Sequence, residues 1–152
     1  MARFMTTEWA QVCKDAANAW PPSEQRSSKL QDYWDWIDTV KPAVNGRLAL
    51  GVRDLPPGCD GDTLVLDFDA GSVTAATVVE RVVADETAKF VLAGSFDNWR
   101  LLLDGYDVGK TVMYRKLMLE KGDTLQFFMA AFFWTELLAA IQTVPVELPV
   151  SA

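Results

Sequence analysis

The chain contains no histidine. That absence excludes a Ser-His-Asp or Cys-His nucleophile system and any His-ligated metal centre. Cysteine is scarce: Cys13 and Cys59 stand far apart and outside CxxC spacing. They form neither a disulfide framework nor a zinc ribbon, so a reducing, cytoplasmic setting is expected, with no metal and no cofactor. No block of basic residues occurs, and 14 Lys and Arg face 21 Asp and Glu for a net charge of −7. An acidic surface repels phosphate backbones and anionic lipid heads, which argues against nucleic acid and against electrostatic docking on a bilayer. A phosphate loop is missing too: "DVGKT" (107–111) lacks the upstream glycine at P-loop spacing. The opening "MARFMTTEWAQ" has no apolar run behind a basic start, so no signal peptide is expected. The closing "LPVSA" does not match a peroxisomal address.

What is present suits one domain. The 152 residues are 50% apolar and 23% charged, and two cores would each be small. Residues 1–44 read as N-terminal helices and 45–152 as a sheet-and-helix core. Trp9, Val12, Cys13, Ala16, Ala17 and Trp20 recur at helical spacing, with Thr6 or Thr7 as cap and Pro21-Pro22 as stop. Leu30, Tyr33, Trp34, Ile37 and Val40 mark a second helix, with Ser23 as its cap. Trp36 lies off that stripe, at a helix edge or against a ligand or second subunit.

The period then changes to two. Leu48, Leu50 and Val52 share one face, as do Leu64, Leu66 and Phe68. Ala70-Gly71 predicts a tight hairpin into "SVTAATVVERV", and "AKFVLAG" reads as a fourth strand. Short connections imply an antiparallel meander. "SFDNWRLLLDG" predicts a helix capped by Ser95 and ended by Gly105, and "YRKLMLEKG" a fifth strand. The expected class is α+β: a five-stranded antiparallel sheet covered on one side by helices, preceded by the helical pair.

Residues 125–141, "LQFFMAAFFWTELLAAI", hold only Gln126, Thr135 and Glu136 as polar side chains. A span needs about 20 apolar residues, and a central carboxylate costs roughly 2.5–3.5 kcal/mol, so membrane insertion is not expected. The three polar residues fall at about 0°, 180° and 280° around a helix, which leaves no side reserved for water. The first two helices, a second subunit in a homodimer, or an oily ligand could supply the cover.

From Ala88 to about Leu138 the chain resembles the sterol carrier protein 2 family. The strand "AKFVLAG", the capped helix "SFDNWRLLLDG", the link "YDVGKTVMY", the strand "RKLMLEKGD" and the final helix "TLQFFMAAFFWTELLA" follow in that family's order. The resemblance implies binding or carriage of a fatty acyl chain, sterol-like compound or other lipid in a tunnel between sheet and helices. Carried over by position, it implies a tunnel wall of Phe128, Phe132, Trp134 and Leu138, with Trp99, Leu103, Met113 and Met118. Each of these residues also reads as ordinary core. The acidic balance and the aromatic-rich stretch from Trp9 to Trp36 depart from the eukaryotic pattern and look more like a stand-alone bacterial relative. The alternatives are a homodimerisation module using the same apolar helix, or a small enzyme on a lipophilic substrate. For the latter, Tyr106, Tyr114, Asp69 and Asp107 are the available polar reagents, and no spacing joins them. Cys59 sits among acidic neighbours that disfavour a thiolate.

Overall fold

The structure, a computed structural model, describes residues 1–27 and 29–149. A short strand β1 (Ala2–Arg3) leads into α1 (Thr7–Ala19). Thr6 Oγ1 accepts from the Trp9 amide at 3.4 Å and closes the helix start. Trp9, Ala10 and Cys13 are buried; Val12 faces outward. Ser23 opens a separate turn, α2 (Ser23–Arg26), rather than capping one long helix. α3 (Gln31–Val40) follows and buries Trp34 and Ile37.

The sheet comprises β2 (Gly46–Val52), β3 (Thr63–Asp69), β4 (Ser72–Val79), β5 (Phe90–Gly94) and β6 (Met118–Lys121), in the order β4-β3-β2-β5-β6. β2, β3 and β4 form the expected meander. Its second turn is the Ala70-Gly71 hairpin, with φ of 49° and 85°.

The sheet is mixed rather than purely antiparallel. β5 runs parallel to β2, from Leu48 opposite Phe90 to Val52 opposite Gly94. The cause is α4 (Arg81–Thr87), which occupies what reads as the end of a strand. Arg81 pairs with Asp85 one turn on at 2.8 Å, and Val82 and Val83 lie in solvent. A helical crossover returns the chain to the end from which it started, so the next strand must run parallel. α4 sets Ala84 and Ala88 beside Ala49, Val65 and Val91, giving the face opposite the main core a small cover of its own.

The remaining helices are α5 (Phe96–Leu103), α6 (Val108–Met113), α7 (Thr124–Met129) and α8 (Ala131–Gln142), and β7 (Val146–Glu147) pairs with β1. Ser95, Asp107 and Asp123 cap α5, α6 and α7 by accepting amides at 3.2, 2.9 and 2.8 Å. The main core joins Leu48, Leu50, Leu64, Leu66, Phe90 and Leu92 to Trp9, Trp99, Phe127, Trp134 and Leu138. Among the described residues no helix is long and apolar enough to cross a membrane.

The oily segment is two helices, not one. Trp134 Nε1 donates to the Phe127 carbonyl at 2.9 Å, and the Ala130 amide bonds the same oxygen at 3.2 Å. A side chain that takes a place in the helical hydrogen-bond ladder breaks the helix there. The expectation of cover all round fails for α7 and holds for α8 only beyond its first turn. α8 buries Trp134, Glu136, Leu137, Leu138, Ala140 and Ile141. Leu125, Phe128 and Met129 of α7, and Phe132 at the start of α8, are exposed.

Candidate functional site: two apolar recesses flanking α7

Successive side chains of a strand alternate faces, so Phe90 and Leu92 of β5 point to the same side. α7 crosses that side, and a recess opens on each of its flanks. The first, beneath α3, measures about 380 Å³ and is walled by Trp36, Val40, Val44, Phe90, Met129 and Trp134. The second, toward β6, measures about 410 Å³ and is walled by Leu92, Val112, Leu117, Met118, Leu119 and Phe128. Both volumes lie in the range of roughly 300–1,000 Å³ typical of small-molecule sites, and both have the usual mostly apolar lining.

Each recess has a small polar rim. Lys89 and Gln126 border the first, Arg115 and Thr124 the second. The Lys89 stem passes close to Gly46, where a Cβ would come within 3.4 Å of Lys89 Cδ. Its ammonium lies 5.6 Å from the centroid of the Phe90 ring. Among the described residues Lys89 has no carboxylate partner, and the Gln126 side-chain amide has no hydrogen bond. These are an unpaired cation and an unpaired amide at the mouth of an apolar hollow.

The α7 helix is held by few contacts. Phe127 is buried, stacked on Trp134 at 5.4 Å and 8°, and edge-on to Phe90 at 5.3 Å. Trp36 Nε1 donates to the Met129 carbonyl at 3.2 Å. Thus two indole N–H groups satisfy carbonyls at the end of α7, where helical partners run out.

A polar cluster lies apart from these recesses. Glu136 accepts from Trp20 Nε1 at 3.0 Å, Lys29 Nζ at 2.7 Å and the Tyr33 hydroxyl at 2.5 Å. Burial pushes its carboxyl upward, but these three bonds and the Lys29 charge outweigh burial and hold it below the usual range. Tyr33 is pushed up, first by burial and then by Glu136. The hollow beside Glu136 measures about 90 Å³, too small for an organic substrate, so the cluster acts as a clasp between the N-terminal helices and α8.

The residues assigned by resemblance separate into groups. Trp134 lines the first recess; Met118 and Phe128 line the second. Trp99 and Leu138 are fully buried in the core, and Leu103 is half-buried against it. Phe132 is exposed on one side and packs on the Tyr33 ring at 4.6 Å. The Met113 side chain lies outside the described residues. Sequence reasoning did not single out Lys89, Phe90, Gln126 and Val44 as site residues; the off-stripe position of Trp36 and the assignment of Trp134 were the signals pointing to the first recess. Tyr114 is exposed and Asp107 is occupied as a helix cap.

No protein-family model matches the chain, and no curated protein matches it. Solved structures do. The crystal structure of sterol carrier protein 2 is 23% identical with a TM-score of 0.70, over 94% of this chain and 100% of that one. The solution structure of a conserved hypothetical protein from Thermus thermophilus, itself named as a sterol carrier candidate, is 25% identical with a TM-score of 0.65. It matches over 97% of this chain and 93% of that one. The chain has the sterol carrier protein 2-like α+β fold.

Proposed function

We propose that the chain binds and carries an elongated apolar molecule, a fatty acyl chain or sterol-like compound, in the recesses flanking α7. The observation that carries this reading is the pair of apolar hollows side by side on the same face of β5. The fold likeness adds to it, since the neighbours are named as sterol carriers. Burial of apolar surface drives binding, and the polar rim fixes the head group. A reducing, cytoplasmic setting and a single domain over 1–152 accompany the proposal.

Native mass spectrometry of freshly purified protein tests it by looking for co-purified lipid. Met129→Asp and Phe128→Asp place a charge in each recess at exposed positions and leave the core intact. Uptake of a fluorescent fatty acid should fall in both variants. Unchanged uptake in both, with folding preserved, would reject the assignment.

A homodimer is the second reading. Leu125, Phe128, Met129, Phe132 and Trp36 expose apolar surface about α7. Sedimentation of delipidated protein at low concentration separates the two, because the dimer reading requires an assembly that persists without lipid.

A further inference from the structure

α5 and α6 end in the same way. Past α5, the Gly105 and Tyr106 amides return to the Leu102 and Leu101 carbonyls, each at 3.1 Å. Past α6, the Arg115 and Lys116 amides return to the Val112 and Thr111 carbonyls at 3.1 and 2.9 Å. This double closure needs a left-handed residue just beyond the cap, a place that favours glycine. Gly105 fills it with φ of 102° and open space around it. Arg115 fills it with φ of 58°, against the crowding of its own Cβ. A residue that breaks a local rule points to a role for its side chain. Arg115 is exposed and forms part of the wall of the second recess, together with Phe128 and Thr124.

We propose that Arg115 makes the second recess a binding site of its own, for an amphiphile with an oxyanion head, a carboxylate or a phosphate monoester. The proposal rests on the carrier reading and assigns the head group at that recess. Although the net charge is −7, the residues from Val108 to Gly122 set Lys110, Arg115, Lys116 and Lys121 against Glu120 alone. Glu120 is occupied by Arg53 and Arg81, at 2.5 and 2.6 Å. Lys116 lies over the Tyr106 ring at 5.5 Å, and Lys121 donates to the Asp85 carbonyl at 2.5 Å. Among the described residues Arg115 has no carboxylate partner. A guanidinium presents paired N–H donors that match two oxygens of a carboxylate or phosphate, and the apolar wall alongside receives the chain. The second recess thereby differs from the first, whose cation is the compact ammonium of Lys89.

The test is calorimetric titration of the delipidated full chain with dodecanoate, monododecyl phosphate and dodecanol. Met129→Asp blocks the first recess and Phe128→Asp the second. Arg115→Gly and Arg115→Lys are placed in each background, with thermal melts to confirm folding. With the first recess blocked, Arg115→Gly should weaken the two anions about fivefold and Arg115→Lys about twofold, with dodecanol unchanged. With the second blocked, neither change should matter. Arg115→Gly should also melt about 2 °C above its parent, because glycine relieves the left-handed strain, so that weaker binding is not unfolding. If Arg115→Gly does not fold, Arg115→Lys carries the test with the same expected direction. Loss for either anion supports the site, and the larger loss names the head it prefers. Unchanged affinity for both anions, an equal loss for dodecanol, or equal losses in both backgrounds overturns the Arg115 site and leaves the carrier reading standing. Failure of wild type to bind any of the three overturns both.

Discussion

The Tyr33 hydroxyl donates to Glu136 Oε2 at 2.5 Å, joining α3 to α8 across 103 positions of sequence. Lys29 reaches the same oxygen, and Trp20 the other one. The carboxylate that looks out of place inside "FFWTELLAAI" is therefore the point on which the N-terminal helices fasten.

Replacing that carboxylate should loosen the clasp. Glu136→Gln loses the charge that Lys29, Tyr33 and Trp20 address, and should cost about 1.5–3 kcal/mol, the range for hydrogen bonds to charged groups. Lys29 is 41% exposed, so its share is reduced by solvent. The pH dependence follows from the lowered carboxyl. Its stabilisation is fully present above the unfolded value of about 4.3 and fades as pH falls through the lower folded value. Urea midpoints of wild type and variant should differ at pH 7 and converge below about pH 4.3. A constant gap down to acid pH would mean that the carboxylate is not the group responsible.

Lys89 makes a different prediction, one of ligand preference. An unpaired ammonium over the Phe90 ring, beside the free Gln126 amide, favours a carboxylate head over a neutral one. Lys89→Gln should weaken a fatty acid about five- to tenfold, in line with roughly 1 kcal/mol for a solvent-exposed ion pair. The corresponding fatty alcohol should be unaffected. Calorimetric titration of both ligands checks this, and equal weakening would assign Lys89 to packing alone.

How far the fold can be read from the sequence depends on whether local or distant contacts decide each element. Ser95 and Asp123 each meet an amide three residues on, so the starts of α5 and α7 are visible as short patterns; Asp107 does the same for α6, within a stretch that reads only as a link. Ala70-Gly71 is visible for the same reason. α4 is not, because Val78, Val79, Val82 and Val83 continue a β-like run. The turn begins where Asp62, 19 positions earlier, accepts the Arg81 amide at 2.9 Å. The break at Ala130 likewise depends on the Trp134 indole, seven residues beyond the Phe127 carbonyl that it bonds.

The recesses were legible only in part. A resemblance carries residue type along the chain, and it assigned Trp134, Met118 and Phe128. It cannot show that Trp99 and Leu138 lie behind the wall, or that Phe90 and Lys89 lie in front of it. The placement of Phe90 follows from strand register, which here depends on the parallel β2–β5 pair; Trp99 and Leu138 are set by how α5 and α8 pack on the sheet.

Gly122 ties backbone conformation to the first recess. It holds φ of 115° just before the Asp123 cap, and a Cβ there would strike the Phe90 ring and come within 2.8 Å of the Lys89 carbonyl. Gly122→Ala should destabilise by about 2–4 kcal/mol, adding backbone strain to steric overlap. Fatty acid affinity should fall with it. Gly58 is the control: its φ is also positive, at 101°, but no atom lies within 4 Å. Gly58→Ala should cost about 1–2 kcal/mol and leave binding intact. Thermal melts and ligand titration distinguish the two sites, and equal losses at both would remove the steric argument.

The two thiols should differ sharply in reactivity. Cys13, on the inner face of α1, is fully buried in the core, and burial pushes its thiol far up. Cys59 is half-buried in the β2–β3 loop. Burial raises its thiol as well, Arg3 opposes that rise, and Asp60 adds to it. The thiolate is the reactive form, so access and pKa act together. Native protein at pH 8 should label slowly at Cys59 and not at Cys13, with both sites labelling in denaturant. Peptide mapping after iodoacetamide treatment reads the result. Rapid native labelling of Cys13 would show that α1 separates from the sheet in solution, contrary to its place in the core. Cys13→Ser extends the argument to stability: placing a hydroxyl in that apolar setting should cost about 1–3 kcal/mol, whereas Cys59→Ser, at the loop surface, should cost under about 0.5 kcal/mol.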